Sequence, residues 1–368
     1  MAGGRIGDDL ARLSALRDRV LQGFVRAGAA RVEPETLQPA DLLLDLYGED
    51  IRARAFLVHD PVEGELVLRP DFTVPVTRLH MSDGGDAARY AYEGLIWRRQ
   101  DPGSIRPTEY LQAGLELFGG TDPAEDEAEV FVLIRDALCG VEARPLTGDL
   151  GIIFAAIDAL ATSERRRAAL RRHVWRPARF KALLDRFAAA AVPSAPRGAL
   201  LSADDGTRRE TIRAAGKVVG MRSPEDVAAR LLVLSEDQSL GPIAPADKAM
   251  IEAVLAVKGP SVEALRDLRA MDLAAMAPAL DKLEHRLAAL SARGVDAENL
   301  PFDATFGRGL EYYDGFVFEL RSPDPALPPL GGGGRYDALT SILGGGIGST
   351  AVGGIVRPEA VLAAGGQA

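Results

Sequence analysis

Cysteine is almost missing from this sequence: Cys139 is the only one in 368 residues. An intramolecular disulfide and a multi-cysteine metal site are therefore excluded. Cys139 lies in the apolar run FVLIRDALCG and reads as a plain core cysteine. Histidine is scarce as well. His59, His80, His173 and His285 are scattered, with no His-Glu-x-x-His spacing, and no metal or cofactor is expected. Positive charge is the minority sign, and the net charge is −10. That argues against an extended nucleic-acid surface, which needs a basic footprint. No run of 18 apolar residues occurs, and the N-terminus has no apolar h-region. A soluble cytoplasmic chain without membrane contact is the expectation. No Gly-Lys-Ser/Thr phosphate loop is present. The G-x-G-x-x-A spacing at Gly346, Gly348 and Ala351 comes too late in the sequence for the acidic residue and βαβ unit of a dinucleotide site.

What the chain does have is core material. Hydrophobic residues make up 47% and charged residues 26%, so one large domain or two ordinary ones can form. Leu10, Leu13, Val20, Leu21 and Phe24 recur at helical spacing, predicting a helix over 8–28. RAFLVHD and ELVLRPD flank Pro61–Gly64 and predict a hairpin. TVPVTRLHM predicts a helix from about Val74, with Pro75 in its first turn. YAYEGLIWRR and EYLQAGLELFGG read as strands around the Pro/Gly/Ser-rich loop QDPGSIRPT. Asp122 as N-cap, Pro123 at N1 and the acidic residues after them open a helix. Residues 302–320 read as strand again, and the C-terminal stretch as a strand and a final helix. The middle of the chain is Ala-, Arg- and Leu-rich and helical. Its run RRRAALRRHVWRPARFK is either a solvated helix face or a contact for an acidic partner or nucleic acid. This order predicts an α/β (α+β) domain over 1–155 and 299–368, interrupted by a largely helical insertion over 156–298.

Three stretches carry polar chemistry. In LRPDFTVPVTR, Arg69, Asp71 and Thr73 alternate, so an extended backbone points all three to one side. Asp71 and Thr73 then suit an ammonium group, whereas a helical start makes Asp71 a cap. In YLQAGLELFG, Gln112, Gly114 and Glu116 form a polar row opposite Leu111, Ala113, Leu115 and Leu117. That row faces either solvent or a cavity. In RGLEYYDGFVFEL, Arg308, Glu311, Tyr312 and Tyr313 offer a cation for a carboxylate and phenols for a ring. Together these donors and acceptors match a zwitterionic amino acid with a polar side chain, held by charge-assisted contacts.

LRPDFTVPVTR, IWRRQDPGSIRPTEYLQAGLELFG, RGLEYYDGFVFEL, GGGGRYDAL and AVGGIVRPEAVL occur in the order seen in histidyl-tRNA synthetases, and Val32-Glu33-Pro34 resembles the end of motif 1 of that class II family. The resemblance covers roughly 8–155 and 300–365. It implies a class II synthetase-like, mostly antiparallel mixed sheet flanked by helices. It assigns histidine contacts to Asp71, Thr73, Gln112, Glu116, Arg308, Tyr313 and Tyr336, with Asp71 one methylene shorter than the usual glutamate. The ATP side departs from the pattern. Arg98 of motif 2 is kept and marks a vestigial ATP site. The usual acidic residue after it is Gln100, a usual arginine is Thr108, and the motif 3 arginine is replaced by Ala360, with Arg357 three positions too early. The sequence also ends soon after motif 3, where the anticodon-binding domain would follow.

This combination resembles the regulatory subunits of ATP phosphoribosyltransferase, synthetase-like proteins without catalytic activity of their own. The resemblance implies a short-form catalytic subunit as partner, in the first step of histidine biosynthesis. It implies L-histidine as feedback effector and a homodimer within a hetero-octamer, with no nucleic-acid or membrane partner. The competing expectation is a truncated synthetase-like enzyme that activates histidine with ATP. A third is an interaction module using the basic helix near Arg165–Arg179.

Overall fold

The computed structural model describes residues 4–41, 53–101, 103–104, 107–189, 194–216, 223–308 and 312–367. Glu311, singled out above, lies outside the described residues. The strands are β1 (Ala30–Arg31), β2 (Leu37–Pro39), β3 (Phe56–Asp60), β4 (Gly64–Leu68), β5 (Ala88–Trp97), β6 (Glu109–Phe118), β7 (Arg144–Asp149), β8 (Lys258–Pro260), β9 (Pro301–Asp303), β10 (Phe316–Arg321), β11 (Gly331–Arg335) and β12 (Ala351–Val356). Nine of them form one sheet in the order β1-β5-β6-β12-β11-β10-β7-β9-β8. Its pairings are antiparallel except β1–β5 and β7–β9. The expected hairpin is β3–β4, which β2 extends to a separate three-stranded sheet. The mixed, mostly antiparallel sheet therefore agrees with the expected fold class.

The chain divides into two compact units, Met1–Ile153 with Leu255–Ala368, and Phe154–Val254. The second boundary differs from the expected 298. Helices Ser261–Arg269 and Ala277–Ala292 belong to the sheet unit. The reason is a set of long-range charge contacts, invisible to periodicity, that ties Ala277–Ala292 to helix Pro123–Asp136. Arg286 Nη1 donates to Glu127 Oε2 at 2.6 Å and Nη2 to Asp149 Oδ2 at 2.9 Å. Arg335 Nε reaches Glu127 Oε1, and Lys282 lies 2.9 Å from that oxygen. Burial alone would push the Glu127 carboxyl up, but Arg286, Arg335 and Lys282 hold it at about 2.

The two faces of the large sheet differ. Ala91, Leu115 and Gly354 lie opposite one another on neighbouring strands and share the face packed by helix Pro123–Asp136. A Cβ added at Gly354 would lie 2.7 Å from Ile134 of that helix. Tyr92, Gly114, Glu116 and Gly353 share the other face. Asp122 caps the packing helix as its sequence announces, accepting from the backbone N–H groups of Ala124 at 3.1 Å and Glu125 at 3.2 Å. Cys139 is a correction. It is half-buried rather than core, and its φ of 55° puts it in a left-handed turn after this helix.

The second unit is helical, with helices at Glu164–Arg172, Pro177–Ala188, Ala195–Ser202, Asp205–Ala214 and Pro224–Ser239. Leu170, Val174, Phe180, Leu184, Ile243 and Ile251 are buried within it. The basic run is not simply a solvated face. Arg166 is buried and donates to the carbonyls of Gly241 at 2.6 Å and Asp237 at 2.7 Å. Arg165 lies 2.6 Å from Asp237.

Candidate functional site: a buried carboxylate on a glycine floor

Strand β6 places Gln112, Gly114 and Glu116 on one face, as alternation requires. Register then brings each a partner. Glu116 faces Tyr90 of β5 and Gly353 of β12, and Gly353 in turn faces Gly334 of β11. A Cβ at Gly353 would overlap Glu116 Oε2, and one at Gly334 would lie 2.9 Å from the Tyr313 ring. The glycine-rich strands thus form a floor on which a carboxylate and a phenol ring can lie flat. Only glycine leaves that space.

Glu116 is fully buried. Thr73 Oγ1 donates to its Oε1 at 2.9 Å and the Tyr92 hydroxyl to the same oxygen at 2.8 Å. The Tyr336 hydroxyl donates to Oε2 at 2.5 Å. Burial raises the Glu116 carboxyl to about 7; the three hydroxyls pull it down and nearby Asp71 pushes it up. The tyrosine hydroxyls of Tyr92 and Tyr336 are raised well above their ordinary value, first by burial and then by the Glu116 charge.

Each donor is fixed by local structure. Thr73 opens helix Thr73–Ser82, and its carbonyl accepts from Thr77 Oγ1 at 2.7 Å. Tyr336 precedes helix Asp337–Leu343, and its N–H donates to the Ala351 carbonyl at 2.9 Å. Asp314 caps that helix through the N–H groups of Asp337 at 3.2 Å and Ala338 at 2.5 Å. Tyr312 is buried and Tyr313 half-buried, with ring centroids 4.7 Å apart, and Tyr312 meets Tyr336 edge-on at 6.1 Å.

Of the residues expected to contact an amino acid, Thr73, Glu116 and Tyr336 are joined directly. Tyr313 lies over Gly334, beside them. Asp71 is 3% exposed; its Oδ1 accepts from Val74 N–H at 3.3 Å, and Arg98 Nη2 lies 3.8 Å from Oδ2. Asp71 thus bonds the first turn of helix Thr73–Ser82, as the helical-start alternative has it, and keeps Arg98 beside its other oxygen. Gln112 is 2% exposed, and its Oε1 has no hydrogen-bond partner among the described residues. Arg308 is buried in the turn after β9. The preceding Gly307 abuts Val317, which pairs with Gly334, so this turn lies on the floor side. Arg69, by contrast, is structural: it donates to the Leu95 carbonyl at 3.0 Å and the Pro34 carbonyl at 2.6 Å. Tyr92 was not singled out from the sequence. Its signal was the alternation of Tyr90 and Tyr92, which puts both phenols on one face of a strand.

A cavity of about 250 Å³ lies in the same unit, lined among others by Arg98, Gln100, Tyr110, Arg357, Glu359 and Ala360. Gln100 Nε2 donates to the carbonyls of Arg98 at 3.3 Å and Pro107 at 3.2 Å, tying the loop between β5 and β6. Arg357 Nη1 donates to the Pro329 carbonyl at 2.7 Å. Glu359 pairs with Arg5 at 2.5 Å and accepts from Leu111 N–H at 3.2 Å.

Comparison with known proteins gives the family from a family model and from curated relatives, and the fold from a solved structure. The model of the histidyl-tRNA synthetase family matches residues 6–237 and 234–361. The ATP phosphoribosyltransferase regulatory subunit of Mesorhizobium japonicum is 33% identical over 90% of this chain and 92% of that protein. The one from Allorhizobium ampelinum is 34% identical over 88% and 91%. A Bacillus halodurans crystal structure, described as an ATP phosphoribosyltransferase regulatory subunit/histidyl-tRNA synthetase, shares the fold. Its TM-score is 0.69 at 22% identity, over 98% of this chain and 81% of that one. The chain belongs to the histidyl-tRNA-synthetase-like family of ATP phosphoribosyltransferase regulatory subunits.

Proposed function

We propose that this chain is the regulatory subunit of ATP phosphoribosyltransferase, without catalytic activity of its own. It switches on a short-form catalytic subunit and transmits feedback inhibition by histidine, in the first step of histidine biosynthesis. The names of its curated relatives support the role. The observation that carries the sensing part is the buried Glu116 with its hydroxyls from Thr73, Tyr92 and Tyr336 on the glycine floor. Within this reading Glu116 and Tyr313 or Tyr336 hold the imidazole. Asp71, Thr73 and the acceptor Oε1 of Gln112 hold the ammonium, and Arg308 holds the carboxylate. Binding is selective for one conformation of the assembly, and so shifts it to the inhibited state. A coupling of this type is worth about 1–3 kcal/mol and is reciprocal, so the catalytic subunit's substrates alter histidine affinity. The assembly is a hetero-octamer built on homodimers of this chain, in the cytoplasm.

The cavity beside Arg98 supports the non-catalytic reading. Where the family resemblance places an acid and an arginine for ATP, Gln100 ties a loop and Ala360 presents a methyl group. Histidine-dependent exchange of pyrophosphate into ATP tests this. The account expects none above background, together with phosphoribosyl-ATP formation once the catalytic subunit is mixed with this chain. Exchange activity would instead make the chain a histidine-activating enzyme.

A further inference from the structure

Among its described residues the sheet unit contains two fully buried glutamates with opposite surroundings. Glu127 is met by Arg286, Arg335 and Lys282. Glu116 is met by three hydroxyls and, among the described residues, makes no ion pair. Hydroxyls offset part of the desolvation of a carboxylate but supply no charge. The groups facing Glu116 from each neighbouring element do not supply it either. Helix Thr73–Ser82 presents Thr73, with His80 at its far end stacked on Phe118 at 4.0 Å, where burial lowers its pKa. β5 presents Tyr90 and Tyr92, β12 presents Gly353, and the 312–336 side presents three tyrosines. Asp71 adds a second buried carboxylate, with Arg98 3.8 Å from it, and Arg308 sits in the turn over Val317.

We propose that the ligand of this site supplies the missing cation: histidine binds with its ring as imidazolium against Glu116, so that binding takes up a proton from solvent. The proposal rests on the histidine-sensing reading above and specifies its charge state. In the complex one proton is shared by the Glu116–imidazole pair. In the free state at pH 8 neither group holds it, given a carboxyl near 7 and an imidazole near its ordinary value of about 6.5. A neutral ring donating its N–H to a charged Glu116 would behave oppositely. It would bind without proton uptake above pH 7, and more weakly below it.

Isothermal titration of L-histidine into the full chain decides, at pH 8 in buffers of different ionisation enthalpy. The expected result is uptake of nearly one proton per site. The Kd should rise roughly tenfold between pH 7 and 8.5, below the range where the ligand's ammonium titrates. Glu116→Gln should bind more weakly, with no uptake and a flat profile. Tyr92→Phe, which removes one donor from the carboxylate, should move the bend to higher pH. Binding with no proton uptake and a flat Kd would overturn the proposal and leave the histidine site standing. Absence of histidine binding to the full chain would overturn the sensing reading, and this proposal with it.

Discussion

Gly353 lies directly across from Glu116 in the β6–β12 pairing, and the space a Cβ would need there is filled by the Glu116 carboxylate. Gly353→Ala must therefore displace the carboxylate from its three hydroxyls. Overpacking of this kind costs about 1–3 kcal/mol. Chemical denaturation should show that loss, and histidine inhibition of the assembled enzyme should weaken together with it. An inhibition curve identical to wild type would place the effector elsewhere.

Glu127 should act as a keystone of the sheet unit. Its carboxyl is held at about 2 by Arg286, Arg335 and Lys282 against the pull of burial. Glu127→Gln leaves buried guanidinium groups short of their counter-charge, at a cost of about 3–5 kcal/mol near neutrality. The folded pKa is depressed, so this stabilisation is complete above the unfolded value of about 4.5 and is lost as pH falls toward 2. Melting temperatures of the two proteins should converge over that window.

Glu116 should show the reverse trend. Its folded pKa is raised to about 7, so its contribution is complete below about pH 4.5 and disappears as pH rises through 7. Without histidine, the stability of Glu116→Gln relative to wild type should improve by about 2–3 kcal/mol from pH 5 to pH 8. Urea unfolding at the two pH values measures this. A pH-independent difference between the two proteins would mean that Glu116 is not desolvated as described.

Much of this was legible in the sequence, for local reasons. The period-2 row Gln112, Gly114, Glu116 marks one face of β6, and Asp122-Pro123 marks a helix start; both signals sit within a few residues. What was not legible depends on register and distance. Tyr92 reaches Glu116 because β5 pairs Tyr92 with Gly114, and a Cβ at Gly114 would lie 2.6 Å from that hydroxyl. Gly353 opposes Glu116 only through a pairing more than 200 residues away in the chain. The same holds for Arg286, whose contacts with Glu127 and Asp149 take residues 255–298 out of the expected helical insertion. Cys139 was misplaced because an apolar neighbourhood in sequence says nothing about a left-handed turn.

Arg308 should matter to inhibition and not to activation. Its guanidinium is buried on the floor side of the sheet, where burial lowers its pKa, and it is the cation proposed for the histidine carboxylate. Arg308→Ala should leave activation of the catalytic subunit intact while raising the histidine concentration for half-inhibition at least tenfold, a loss of about 1.4 kcal/mol or more. Equal loss of activation and inhibition would point to a folding defect instead.

The most direct measurement is phosphoribosyl-ATP formation by the short-form catalytic subunit from the same organism, with and without this chain, followed by a histidine titration. The account predicts little product without the chain, a large increase when it is added, and suppression by histidine that Arg308→Ala removes. A rate indifferent to the chain would contradict the regulatory role itself.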